Sequence, residues 1–306
     1  MSGWTATAIC RARRNWRGRF SCLSALRVRA NFGCFSMSKP AGKCVFCGGT
    51  GLTKSHIWPD GLDEYLPPRA ERYLQVVGEV NTFIPQMRRP DVQRVEGKGD
   101  ARAKKPRNTC LACNGGWMSR IESSAKDPMI PLVKGLPFAE DSPGLSFMLN
   151  SRGQSALATL LCLITMRVEF SHLATLAATP QDHEWIRTAL EPPPFWKIWI
   201  ARYIGQNPGA HWCRHYGLQL VSSPEEQVAS HKCDTQATTF VMGQLCAHIF
   251  SSTSIPDFSG YSGQGLCRLW PLAGWDIDCR YLPPISDAGV LSLSEALARE
   301  IPPIPA

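Results

Sequence analysis

The chain has 306 residues, 44% of them hydrophobic, and a formal net charge of +8, which allows a full core and a length of roughly two domains. Its longest apolar run, Ala156 to Met166, is interrupted by Thr159 and Thr165 and followed at once by Arg167 and Glu169, so it is too short to cross a bilayer and no membrane partner is expected. The thirteen cysteines are an odd number without disulfide-framework spacing, and a reducing, intracellular, cytoplasmic setting fits them best.

Residues 1–36 carry seven arginines between Arg11 and Arg29 and no acid; the first acid in the chain is Asp60. Three readings fit this segment: an Arg-rich presequence, a basic arm for nucleic acid, or translated upstream sequence with Met37 as the start. Without those seven charges the net charge falls from +8 to +1, so overall basicity is no argument for a nucleic-acid partner. The expected organisation is an extension over 1–36, a zinc-finger domain over 37–135 and an α+β domain over 136–306.

The finger is marked by two pairs, Cys44-Val-Phe-Cys47 and Cys110-Leu-Ala-Cys113. Each offers two thiolates across one tight turn, and two such pairs complete the four-sulfur shell of a structural zinc ion. Gly48-Gly-Thr-Gly51 predicts a reversal, and the alternating Leu52–Ile57 a strand that ends at Pro59. One or two helical turns over Asp60–Leu66 and one or two strands within Tyr73–Phe83 follow. Arg88–Arg107 is dense in Arg and Lys and predicts a basic loop, either solvated or gripping phosphates. A helix from about Gly116 to Lys126 places Asn114, Met118 and Glu122 four apart on one face, and Asp127-Pro128 is expected to end it.

His56-Ile57-Trp58-Pro59 together with Cys110-x-x-Cys113-Asn114 resembles the HNH, or ββα-metal, nucleases in their four-cysteine zinc form, over about residues 44–135. The resemblance implies a treble-clef-like ββα finger in which His56 activates water as general base. It makes Asn114, standing where the family usually has His, the ligand of a catalytic Mg²⁺ or Mn²⁺, a role its hard amide oxygen suits. Glu122 becomes an outer-shell partner, Asn108 the nearest candidate for the residue that orients the base, and Lys54, Arg102, Lys104, Lys105 and Arg107 the contacts to DNA. The sequence departs from the commonest pattern at Ser55, where an Asp or His usually precedes the base and holds the metal. Composition does not separate DNA from RNA, and it leaves the oligomeric state open. The rival reading is a non-catalytic zinc module that binds nucleic acid or protein.

Beyond residue 135 the patterns predict helices over Gln154–Phe170, from Thr179-Pro180 onward, and over Ser286–Glu300. Strands are expected at Trp196–Tyr203, Gly217–Val221 and Thr238–Phe250, giving an α+β region with a mainly antiparallel sheet. His211, Cys213 and His215, with His231 and Cys233 nearby, gather potential ligands, but alternating strands collect such residues by accident. There is no Walker loop, dinucleotide fingerprint or serine-nucleophile elbow in this half.

Overall fold

Both faces of the sheet are covered at its central strands, and this governs which residues those strands carry. The computed structural model describes residues 42–62, 64–65, 72–81, 91–98, 105–138, 147–171, 175–206, 212–219, 233–255, 261 and 265–300, all within one compact unit, Pro40–Ala306. The described elements begin with β1 (Leu52–Thr53), β2 (Arg72–Asn81), β3 (Asp91–Lys98) and β4 (Thr109–Cys110). There follow α1 (Leu111–Cys113), a wider π-type turn over Asn114–Met118, α2 (Ser119–Lys134), β5 (Met148–Leu149), α3 (Ser151–Glu169) and α4 (Pro180–Ala189). The chain continues with β6 (Lys197–Tyr203), β7 (Trp212–Gln219), β8 (Thr235–Met242), β9 (Leu245–Ser252), β10 (Cys267–Trp270), β11 (Ile277–Asp278), β12 (Pro284–Ile285) and α5 (Asp287–Glu300). No described helix is long and apolar enough to cross a membrane.

The main sheet runs β10-β6-β9-β8-β7-β2-β3, with β12 beside β6. Two of its described pairings, β2 with β7 and β12 with β6, are parallel. The sheet is therefore mixed, where the sequence predicts a mainly antiparallel one. The difference arises because β2 comes from between the two cysteine pairs and reaches β7 through a long connection, which leaves its direction unconstrained by a hairpin. Arg88–Arg107 is not wholly a loop either, since it contains β3. That strand lies at the end of the sheet order, and its charge-rich sequence suits a sheet edge.

In β6, Ile198 and Ile200 join the core built on α3, while Trp199, Ala201 and Tyr203 join the core built on α5. β8 and β9 are buried at every position, as strands sandwiched on both faces must be. Thr238–Phe250 therefore reads as one apolar strand but is most of a hairpin, turning at Gly243-Gln244. Gly243 has φ 57°, and a Cβ there would collide with the Val133 carbonyl, so only glycine suits this turn. The Gln244 N–H donates to the same carbonyl at 3.0 Å. The hairpin tip is thus fastened to the end of α2.

Helix α2 also departs from expectation, because it continues through Pro128 and Pro131 to Lys134. Continuing buries Met129, Leu132 and Val133, worth about 5–9 kcal/mol together, which offsets a cost of about 3 kcal/mol for each of the two interior prolines. The carbonyls left without donors belong to Ser124 and Asp127, both at exposed positions, where water satisfies them. α2 packs on α3, so the expected 37–135 finger and 136–306 region share one continuous core.

At its C-terminus α3 buries Glu169 completely, and one carboxylate oxygen accepts the Ala177 N–H at 3.2 Å. α4 then starts with a capping box between Thr179 and Asp182 and with Pro180 in its first turn, as the sequence predicts. Burial pushes the Glu169 carboxyl from its ordinary 4.5 up to about 8, against the pull of the Ala177 and Ala178 amides, and the nearby Asp182 pushes it further. A carboxyl raised in this way holds its proton more tightly folded than unfolded. Its contribution is intact below about pH 4.5 and is lost as pH rises through about 8. We expect wild-type protein to lose stability relative to Glu169→Gln between pH 5 and 8, by up to about 1.4 kcal/mol per pH unit, measured by urea unfolding. Parallel pH profiles for the two proteins would contradict this.

Candidate metal centre

The two cysteine pairs are brought together by backbone hydrogen bonds before any side chain acts. The first pair lies in a tight turn, with Cys44 N–H donating to the Gly49 carbonyl at 2.7 Å and Gly48 N–H to the Cys44 carbonyl at 2.8 Å. The second spans the end of β4 and the start of α1. β1 pairs antiparallel with β4, setting Leu52 opposite Cys110. Val45 N–H reaches the Asn108 carbonyl at 3.0 Å and Leu111 N–H the Gly51 carbonyl at 3.3 Å, lacing one turn to the other.

The sulfurs of Cys44, Cys47, Cys110 and Cys113 consequently lie within 4.8 Å of one another, with Cys47 and Cys110 3.6 Å apart. A tetrahedral zinc ion with bonds of about 2.3 Å has sulfur–sulfur edges of about 3.8 Å, so the arrangement fits. Gly49 N–H points at Cys47 Sγ (3.4 Å) and Cys113 N–H at Cys110 Sγ (3.5 Å). Burial raises the Cys44 thiol, but hydrogen bonds from the backbone of Cys110, Phe46 and Cys47 outweigh it and bring it down to about 7. Burial pushes Cys113 well up, and the Cys47 and Cys110 thiols push it further. Four thiols this close cannot all ionise unless a cation shares their charge. An all-sulfur set of this shape can hold a metal ion such as zinc.

Aromatic contacts seat the clamp on the core. Phe46 meets Trp117, Phe170 and His183 edge-on at centroid distances of 5.2, 5.4 and 5.3 Å, and Trp58 meets Phe240 of β8 at 5.3 Å. Ser55 N–H donates to the Pro106 carbonyl at 3.1 Å, which extends the two-stranded ribbon past β1. Ser55 and Ile57 are buried and His56 is half-buried between them. Ser55 Oγ donates to Asn114 Oδ1 at 2.9 Å. The position where the resemblance would place an acid or His therefore positions Asn114 instead. Asn114 is not the N-cap of α1, because Cys110 fills that role by accepting the Cys113 N–H, and Asn114 instead closes the C-terminal end of that turn with its own N–H on the Leu111 carbonyl. Gly116, at φ −97° and ψ −107°, breaks the helical course just after Asn114 and permits the kink between the clamp and α2.

The remaining expected residues divide. Asn108 accepts Val45 N–H through its carbonyl and the Thr109 hydroxyl through its side chain (3.1 Å), so it links the two cysteine turns. Lys54, Lys105 and Arg107 are exposed on the ribbon; Arg102 and Lys104 lie outside the described residues. Glu122 accepts a hydrogen bond from Arg167 Nη1 at 2.7 Å, and Arg167 Nη2 reaches Met118 Sδ at 3.6 Å. Arg167 was not anticipated as a partner, although a charge ending the apolar run of α3 was a visible signal. Among the described residues the four cysteines form the only cluster of three or more potential His, Cys, Asp or Glu metal ligands. His215 instead bonds Thr238 (2.7 Å) and the Thr175 carbonyl (3.3 Å) inside the core, and His211 and His231 lie outside the described residues.

No family model, curated protein or solved structure matches the chain.

Arg167 is 2% exposed and Glu122 27%, so removing the carboxylate strands a buried guanidinium. Glu122→Ala is expected to lower unfolding free energy by about 3 kcal/mol with metal content the same as in the wild type. A change within about 0.5 kcal/mol, as for a solvated surface Glu, would contradict the assignment.

Proposed function

We propose that the chain is a metal-dependent endonuclease that hydrolyses DNA phosphodiester bonds. The observation that carries this reading is the Ser55–Asn114 hydrogen bond. It joins the segment bearing His56 to the residue after the second cysteine pair, the juxtaposition on which the likeness to ββα-metal nucleases depends. A ribbon closed by β1 and β4 and leading into a helix supports the same reading.

In this mechanism His56 accepts the proton of the attacking water, the general-base role that histidine side chains fill most often. Asn114 Oδ1 has a second lone pair beyond the one Ser55 uses and would hold Mg²⁺ or Mn²⁺ with it. A cation held there would supply positive charge against the negative charge that grows on the phosphate and the leaving oxygen. Lys54, Lys105 and Arg107 grip the sugar–phosphate backbone, a contact that confers affinity without reading sequence. Zinc held by the four cysteines would fix the frame and take no part in the chemistry.

A non-catalytic zinc module is the second reading. It draws support from the partners that two of the proposed site residues already have, Ser55 for Asn114 and Arg167 for Glu122. Nicking of supercoiled plasmid by the full chain, with Mg²⁺ or Mn²⁺ and with EDTA, separates the two. The nuclease reading expects cation-dependent nicking that falls by about 100-fold or more in His56→Ala and also falls in Asn114→Ala, with zinc content unchanged in both. Folded, zinc-loaded wild type that cuts neither plasmid nor RNA above the His56→Ala level would overturn it.

A further inference from the structure

Between α4, the turn leading into β6 and the end of β9 lies a cavity of about 380 Å³ that shares no residue with the cysteine clamp. It is within the size range of small-molecule sites. Two aromatic side chains stand at it with much of their surface exposed, Trp185 at 43% and Phe195 at 64%. Pro193 and Pro194 add rigid apolar wall. Their rings offer flat apolar area at the rim of a preformed recess, the lining that small-molecule sites use.

Two carboxylates complete the lining, Asp182 and Asp234. Both are held in place. Asp182 accepts the Thr179 N–H and hydroxyl at 2.8 Å each, and Asp234 accepts the Thr235 and Ser254 hydroxyls, also at 2.8 Å. The floor is equally fixed, since Trp196 is buried and Ala177 is pinned through its N–H by Glu169. None of the described lining residues is Lys, Arg or His. Aromatic faces attract cations through the ring quadrupole, and flat guanidinium-like groups stack on them. Fixed carboxylates beside such rings favour positive charge and reject anions.

We propose that this cavity binds a planar organic cation of the amidinium or guanidinium type, its flat face against Trp185 and Phe195 and its charge toward Asp182 and Asp234. This site is independent of the nuclease reading.

Calorimetric titration of the full chain with benzamidine, benzamide and benzoate varies charge while keeping the ring constant. Benzamidine is expected to bind about tenfold or more tightly than benzamide, and benzoate not at all. Trp185→Ala, Phe195→Ala and Asp234→Asn should each weaken benzamidine about fivefold or more, with circular dichroism and melting temperature retained. Both aromatic positions are exposed, so at least one of these variants is expected to remain folded. An N-acetyl-arginine methylamide arm distinguishes the source: binding comparable to benzamidine points to an arginine side chain of a partner, and its failure beside intact benzamidine binding points to a free aryl cation. Equal affinity for benzamidine and benzamide, tighter binding of benzoate, or benzamidine binding unchanged in all folded variants would overturn the proposal.

Discussion

The convergence of four sulfurs within 4.8 Å is the constraint on which the remainder of the N-terminal half depends. β1 and β4 are two residues each, far too short to persist as an isolated ribbon. Joining the turns at Cys44–Cys47 and Cys110–Cys113 closes a long stretch of chain between them, and a metal ion that holds all four thiolates contributes its binding energy directly to that closure. Once the ribbon exists, Ser55 can reach Asn114 and the helical segment starts in a fixed direction.

The clamp in turn depends on the core. Phe46, the third residue of the first Cys-x-x-Cys pair, inserts among Trp117, Phe170 and His183, which come from the turn before α2, the end of α3 and the body of α4. Trp58 does the same on β8, and the hairpin tip at Gly243-Gln244 holds the far end of α2. Each aromatic contact of this kind is worth about 0.5–1.5 kcal/mol beyond its burial. The cysteine clamp and the sheet are therefore one folding unit in energetic terms. Changes at the sheet side of Trp58 should be felt at His56, its near neighbour in sequence.

Legibility in the sequence followed how local each determinant is. The cysteine spacing, the Gly-rich reversal, the Thr179 cap and the long apolar helix are short-range signals, and the corresponding turn, cap and helix stand where those residues predict. Features set by long-range packing were not legible. Pro128 signals a helix end, but the buried stripe through Met129, Leu132 and Val133 overrides it. The apolar run over Thr238–Phe250 hides its turn because both faces of β8 and β9 are covered, which removes the alternation that would mark a strand boundary. β3 reads as a charged loop because edge strands tolerate charge. At the site, the chemistry-bearing residue types were visible while their partners were not. Nothing adjacent to Glu122 in sequence announces Arg167, and Ser55 registered as a missing ligand although its hydroxyl holds Asn114.

The most direct test of this account is the metal content and coordination of the purified chain, by elemental analysis and X-ray absorption at the zinc edge. The account predicts one zinc per chain with four sulfur neighbours at about 2.3 Å, and loss of that shell in Cys110→Ser. Folded protein with no bound metal, or with zinc in a mainly nitrogen and oxygen shell, would contradict it.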